Sequence, residues 1–450
     1  MALWGGLDLD AAGNLTIAGH HVATLARSFG TPLLVLNEEE IRGQARRYRA
    51  ALAATGYPSW QVVYAAKAFL AMALCELLAE EDIGLDVVSG GELYMAQAAG
   101  FPAAHIIFHG NNKSRAELEQ AVLAQVGRIV VDNFHELELL REVAGRAQGP
   151  VPVLLRVAPG VEAETHSYIQ TGTQDTKFGF DLASGQALEA ARQAAASPGL
   201  DFRGFHAHIG SQLFSVDPFL ETVSRLMALA GETTRTTGRP MTELDLGGGL
   251  GIRYLEGDEP PAVEEMVAAL VERVRREAEA RNLPLPHLIL EPGRSLIGEA
   301  GTTVYTVGSI KRVPGLPAFV AVDGGMSDNP RPALYDAQYT ALLVPTGGGE
   351  APRPLEDCRI VGKLCESGDV LVKHCRLPSP QPGDLVVLLS TGAYTYSMAS
   401  HYNLLPRPAV VLVNKERARV IIRREEYRDL LRGHQPLTAE AAVLQRRPAP

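Results

Sequence analysis

Lys67 closes the run Gln61-Val62-Val63-Tyr64-Ala65-Ala66-Lys67, with Ala68 after it. The run is apolar and rich in β-branched residues, which predicts a buried strand. An ammonium at the end of such a strand is costly unless it is paired or neutralised. Desolvation lowers a lysine's pKa, and a neutral amine attacks carbonyls. Lys67 is therefore a candidate Schiff-base lysine. The plainer alternative is a side chain that extends from the strand end into water.

Four further groups belong to the same chemistry. Gly247-Gly248-Gly249-Leu250-Gly251 follows Glu243-Leu244-Asp245-Leu246. Glycines let backbone N–H groups approach an anion closely, although a tight turn would also need them. Glu291-Pro292-Gly293-Arg294 offers a guanidinium for phosphate or carboxylate, and Ser211 can add a hydroxyl. His206 and His208 have period-two spacing and would face one side of a strand. That pattern suits a metal pair or a ring stacked on a flat cofactor, with His206 alternatively a core residue. No third ligand falls at an obvious spacing, so no metal is expected. Glu291 ends the apolar run His287–Leu290. It could pair with Arg294, or it could keep a heteroaromatic nitrogen protonated and make that ring an electron sink. A Schiff-base lysine, an anion cradle, a stacking ring and a carboxylate partner together describe a site for pyridoxal 5'-phosphate.

Cys365, in Lys363-Leu364-Cys365-Glu366-Ser367-Gly368-Asp369, is flanked by polar residues before a glycine turn. It suits a functional loop, whereas Cys75 and Cys358 are read as buried filler. The loops Asp323–Tyr335 and Gly392–Ala399 mix glycine with arginine or tyrosine, and either could bind carboxylates.

The elements around these residues predict how they are positioned. Apolar runs at 61–67, 83–89, 105–110, 128–133, 151–157, 202–209, 242–248 and 286–292 alternate with helical patterns. Ser114 and Glu117 have capping-box spacing before one of those helices. Eight such units predict a (β/α)8 TIM barrel, in which chemistry gathers at the C-terminal ends of the strands. Lys67, Asp86, Ser89, His109, Asn111, Asn112, Arg156, His206, Gly247–Gly249, Glu291 and Arg294 all fall there. After residue 302 the sequence reads as strands punctuated by Gly and Pro, as in a β-barrel or sandwich. The first 35 residues also read as β and are expected to pair with that region. The predicted division is a barrel at 36–302 and a discontinuous β domain of 1–35 and 303–450. The terminal Arg-Arg-Pro-Ala-Pro reads as disordered.

Apolar residues make up 46% of the 450 and charged residues 21%, a globular composition with room for two cores. A net charge of -10 without basic blocks disfavours nucleic acid. The N-terminus lacks signal-peptide features, and no apolar stretch approaches a membrane span. Four cysteines without metal or disulfide spacing suit a reducing cytoplasm.

The motifs VVYAAKA, GLDVVSGGEL, HGNNKS, HSYIQTGTQDTKFGF, FHAHIGSQ, LDLGGGLGI, EPGRS, DGGMSDNPRPALY, CESGD and GAYTYSMASHYN occur in this order across nearly the whole chain. In this it resembles the diaminopimelate decarboxylases, of the alanine-racemase-like, fold type III group of pyridoxal phosphate enzymes. The resemblance implies decarboxylation of meso-2,6-diaminopimelate to L-lysine and CO2, the last step of lysine biosynthesis. It implies that Lys67 carries the cofactor and His208 stacks on the ring. Gly247, Gly248, Gly249, Ser211, Arg294 and Tyr394 would hold the phosphate, within a loop that includes Pro292 and Gly293. Glu291 would bind the ring nitrogen. Arg294, Arg331, Tyr335, Glu366 and Tyr394 would contact the substrate, and Cys365 would be the proton donor. It further implies a homodimer with shared active sites, the Cys365 loop crossing to the other subunit. Thr395 and His401 vary slightly from the family pattern and carry no assigned role.

Sister enzymes acting on ornithine, arginine or carboxynorspermidine are the alternative, but they bind a distal amine with an acidic residue. Arg331 suits a distal carboxylate instead. Racemases of this fold place an arginine against the ring nitrogen, which Glu291 argues against. Carrier proteins are usually a barrel alone, and pseudo-enzymes would be expected to lose Lys67 or Cys365.

Overall fold

The computed structural model describes residues 3–161, 176–347 and 353–437. Residues 166–175 of the HSYIQTGTQDTKFGF motif and the terminal RRPAP lie outside them. Eight parallel strands close into a barrel: β1 Trp60–Ala65, β2 Gly84–Val87, β3 Ile106–Phe108, β4 Arg128–Val131, β5 Val151–Ala158, β6 Leu200–His206, β7 Glu243–Asp245 and β8 His287–Leu290. Each pairs with the next, and β8 pairs back with β1 through Leu288↔Trp60, Ile289↔Gln61 and Leu290↔Val62. The eight predicted runs are these eight strands. Ser114 makes its capping box with Glu117 ahead of the helix Arg115–Leu123.

The interior of the barrel explains why polar residues gather at one end. Val63, Ile107, Val130, Leu154 and Ile289 form a separate buried cluster. Alternate residues of a strand point the same way, so the next inward position lies two residues on. Those positions hold Ala65, His109, Asp132, Arg156 and Glu291. On β2, β6 and β7 the equivalent step reaches Asp86, His206 and Asp245. An apolar plug thus carries a polar floor above it, at the C-terminal mouth.

The second domain is mostly β. Its main sheet runs in the order Val370–Pro378, Leu355–Val361, Ala318–Val322, Gly301–Lys311, Leu33–Asn37, Ala409–Val413, Ala418–Ile422, with Leu385–Leu388 joining Gly301–Lys311 to Ala341–Val344. The N-terminal strand Leu33–Asn37 is therefore central, antiparallel to Gly301–Lys311 and parallel to Ala409–Val413. It continues directly into the helix Glu38–Ala54, whose first turn is capped by Asn37 Oδ1, accepting from Glu39 N at 3.0 Å.

Three local expectations need correction. The segment read as wholly β near the N-terminus contains a helix, Val22–Phe29, with Val22, Leu25 and Ala26 buried on one side. Helical spacing of those apolar positions outweighs the local β propensity. The C-terminal region is not free of helix either, since Arg331–Tyr335 and Tyr427–Leu430 form single turns. The run 358–365 is strand only to Val361. Beyond it the chain turns, because Asp369 accepts from Leu364 N at 2.9 Å and from Met326 N at 2.7 Å.

Candidate active site at the barrel mouth

Lys67 lies just past β1, in a one-turn 3-10 helix Ala66–Ala68. The turn is tied to the β domain, since Tyr394 N and Ser397 Oγ both donate to Ala68 O, at 2.8 and 3.0 Å. Tyr394 holds a φ of 59°, a left-handed backbone that a tyrosine adopts only when its surroundings impose it. Lys67 opens onto a cavity of about 800 Å³ that is also lined by Asp86, His208, Glu291, Arg294, Arg331 and Tyr394.

The electrostatics around Lys67 differ from the simple sequence argument. Burial pushes its pKa down, as expected, but the charge of Asp86, then of Tyr394 and Glu291, overrides it. The net direction is upward, so with no cofactor attached the amine is a held ammonium, not a free base. Asp86 is 2% exposed, and burial raises its pKa against the pull of His109 and Lys67.

Glu291 is buried, and its partners are histidines, not Arg294. His109 Nε2 lies 2.7 Å from Glu291 Oε1, and His206 Nε2 lies 3.2 Å from Oε2. Burial alone would raise the Glu291 pKa, but His109 and His206 hold it well below the carboxylate range. Burial in turn pushes His206 down to about 3, so it is a neutral imidazole donating to a carboxylate. The two rings meet edge to face, their centroids 4.7 Å apart.

His208 lies beyond the end of β6, and its Nδ1 is 3.1 Å from Gly248 O. Burial and the nearby charge of Lys67 hold it well below its usual pKa. A narrow extension of the cavity is lined by Lys67, His208, Ser211, Gly248, Gly249, Gly293, Arg294 and Tyr394. A Cβ on Gly248 would stand 2.1 Å from Glu291 O, so only glycine fits there. Arg294 Nη2 donates to Ser211 Oγ at 3.0 Å and Nη1 to the Tyr254 hydroxyl at 2.5 Å. Its guanidinium stands 4.7 Å from the centre of the Tyr394 ring. Farther along the cavity, Arg331 Nη1 donates to Tyr339 OH at 2.6 Å, and its guanidinium stands 4.8 Å from the Tyr254 ring.

A family model described as the pyridoxal binding domain of pyridoxal-dependent decarboxylases matches residues 38–298. The diaminopimelate decarboxylase of Bacillus subtilis is 47% identical over 420 residues, covering 93% of this chain and 95% of its own. The chain belongs to the diaminopimelate decarboxylase family. A solved diaminopimelate decarboxylase of M. jannaschii, in co-complex with L-lysine, superposes with a TM-score of 0.89 at 35% identity, covering 96% of this chain and 99% of that one. That of Helicobacter pylori, complexed with L-lysine, gives a TM-score of 0.83 at 31% identity, over 91% and 98% of the two chains.

Eight of the nominated residues line the cavity and Gly248, Gly249 and Gly293 line its extension, whereas Gly247, Pro292, Cys365 and Glu366 line neither. Cys365 and Glu366 are exposed and do not line it. Cys365 N instead donates to Asn403 Oδ1 at 2.8 Å, and Glu366 Oε1 accepts from Gly368 N at 3.2 Å. Tyr335 does line the cavity, at its outer edge.

Sequence reasoning missed Asp132, Asp245, Tyr254 and Tyr339. The first two were legible in Val130-Val131-Asp132 and Glu243-Leu244-Asp245, by the alternation that places His109 and Glu291. The tyrosines carried no motif signal, since they reach the arginines only through tertiary packing. A larger cavity of about 920 Å³ opens at the opposite end of the barrel. Its Arg128 and Arg203 are both paired with Glu243, and none of the nominated residues lines it.

Among the described residues, no helix is long and apolar enough to cross a membrane.

Proposed function

We propose that this chain decarboxylates meso-2,6-diaminopimelate to L-lysine and CO2 with pyridoxal 5'-phosphate, the last step of lysine biosynthesis. The observation that carries the proposal is Lys67 in one cavity with Asp86, His208, Glu291, Arg294 and Arg331. The residues fit the cofactor. The cleft beside Lys67 is floored by glycine where no Cβ fits and is walled by Arg294 and Ser211, which suits a phosphate. A buried carboxylate at Glu291 suits a protonated ring nitrogen. When bound, the cofactor supplies an electron sink for the charge left as CO2 departs.

The chain's own residues do the rest. Lys67 Nζ would carry the cofactor, and Asp86 would hold the Lys67 amine as an ammonium whenever it is free. His208 would pack on the ring. Gly247, Gly248, Gly249, Ser211, Arg294 and Tyr394 would hold the phosphate, with Pro292 and Gly293 shaping the loop. Glu291 would keep a proton on the ring nitrogen. Arg331 and Tyr335 would face the distal carboxylate, joined on the substrate by Arg294, Tyr394 and Glu366. The proton that completes L-lysine would come from Cys365. Because Cys365 and Glu366 stand outside their own chain's cavity, we assign them to the site of a second copy in a homodimer. The pairing of Leu33–Asn37 with Gly301–Lys311 supports the proposed division into a barrel at 36–302 and a β domain of 1–35 with 303–450. Cys75, Cys358, Cys365 and Cys375 are all free thiols, which supports a cytoplasmic setting.

The test is an assay of purified protein with pyridoxal 5'-phosphate and meso-diaminopimelate, scoring L-lysine and CO2. Release of both in equal amounts is expected. Turnover of ornithine but not of diaminopimelate would overturn the substrate assignment.

A further inference from the structure

His109 stands where three constraints meet. Its Nε2 lies 2.7 Å from Glu291 Oε1 and 3.7 Å from Asp86 Oδ1, and its ring packs edge to face on His206. Glu291 is thereby gripped by two imidazoles, one on each oxygen. A carboxylate can only accept, so each histidine must present its Nε2–H to it. Each oxygen keeps another lone pair for a further donor. All of these side chains are at most 5% exposed, and the buried Asp245, whose pKa is raised well above the usual value by burial and by Glu291, faces them from the end of β7.

The backbone that carries His109 is itself braced. His109 N donates to Val87 O at 2.8 Å. The next residue, Gly110, has a φ of 120°, which favours glycine. Its carbonyl accepts from Lys113 Nζ at 2.7 Å, and the same ammonium donates to Val130 O at 2.8 Å and pairs with Glu136 at 2.8 Å. A lysine buried so completely is tolerated because every direction it faces offers an acceptor. It fixes the loop after β3 to the end of β4.

We propose that His109 is a positioning residue for Glu291: with His206 it fixes both carboxylate oxygens, so that Glu291 stays an anion aimed at the cofactor's ring nitrogen. The proposal rests on the assignment of Glu291 above. His109 acts through Glu291 and governs how firmly the ring nitrogen is protonated, while substrate binding is set elsewhere in the cavity. Burial raises a carboxyl's pKa, and these two donors offset that.

The test compares His109→Gln with His109→Asn in the cofactor-loaded enzyme. Glutamine places an N–H near the position of His109 Nε2, whereas asparagine is too short to reach Glu291. His109→Asn should lower kcat by about ten- to a hundredfold, the scale of one lost charge-assisted bond, with KM for meso-diaminopimelate little changed. It should also move the pH at which the visible absorption of the bound cofactor changes. His109→Gln should recover most of both. Near-ultraviolet circular dichroism of the cofactor-free proteins checks that each variant folds. If His109→Asn does not fold, His109→Met, which has glutamine's length but no N–H to offer Glu291, takes its place and is read by the same two measurements. A folded His109→Asn with kcat within twofold of wild type and an unmoved absorption titration overturns the proposal. A wild-type enzyme that binds pyridoxal 5'-phosphate without any such titration, or makes no lysine, would instead overturn the reading beneath it.

Discussion

The barrel mouth and the Cys365 loop are built to opposite rules. In the mouth, Glu291, His109, His206, Asp86 and Arg294 are each at most 5% exposed, and Glu291 and Arg294 are hydrogen-bonded within the same chain. The loop is exposed at Cys365, Glu366, Ser367 and Gly368, yet its base is firmly set by Asp369, which is 3% exposed. Burial at the mouth makes electrostatics strong and fixes geometry before any substrate arrives. A rigid base with exposed chemistry, by contrast, is what a group intended for another surface requires. On the function proposed above, the residues assigned to the cofactor lie in one chain, and the proposed proton donor is presented outward.

The largest expected effect separates the two halves. Lys67→Ala should lower turnover by more than about a thousandfold and abolish borohydride-stable attachment of the cofactor. Attachment found on any other lysine would break the comparison. Next, Cys365→Ala should leave attachment intact while turnover falls by about a hundredfold or more, the scale of a lost general acid. Loss of cofactor in that variant would place Cys365 in the wrong half. Arg331→Gln should raise KM for meso-diaminopimelate by about ten- to a hundredfold, since one charged hydrogen-bond partner is removed. A change confined to kcat would remove Arg331 from the substrate end.

The smallest effect is on stability. His206 has its pKa pushed down to about 3 by burial, from an ordinary 6.5. Between those values the unfolded chain binds the proton and the folded one does not. The contribution of His206 is therefore fully present above pH 6.5 and is lost as pH falls toward 3. The slope is about 1.4 kcal/mol per pH unit. Denaturant unfolding of the cofactor-free protein at pH 7 and pH 5 should show this loss as a difference in slope between wild type and His206→Gln. Glu92, Glu136 and Asp328, each raised to about 7 by burial, contribute with the opposite sign over that interval, so a wild-type slope equal to that of His206→Gln is the result that would contradict a neutral His206.

Much of the barrel was legible because its strands are short apolar runs, each ending in a polar residue. The same alternation that buries Ile107 and Ile289 lifts His109 and Glu291 into the mouth. The helix Glu38–Ala54 was passed over, because its sequence is dominated by charges and its buried face, from Ile41 to Leu52, is sparse. The pairing of Glu291 with His109 could not be read, since 182 positions separate them in sequence. Nor could the sign of the Lys67 shift, because it depends on how closely Asp86 stands to the amine and not on burial alone.

The split between mouth and loop is tested most directly by mixing two inactive proteins. Lys67→Ala and Cys365→Ala would be unfolded together, refolded with pyridoxal 5'-phosphate, and assayed on meso-diaminopimelate. If the site is shared between two copies, random pairing leaves one intact site in each mixed dimer, and activity returns to about a quarter of wild type. If both residues act within one chain, every site lacks one of them and no activity returns.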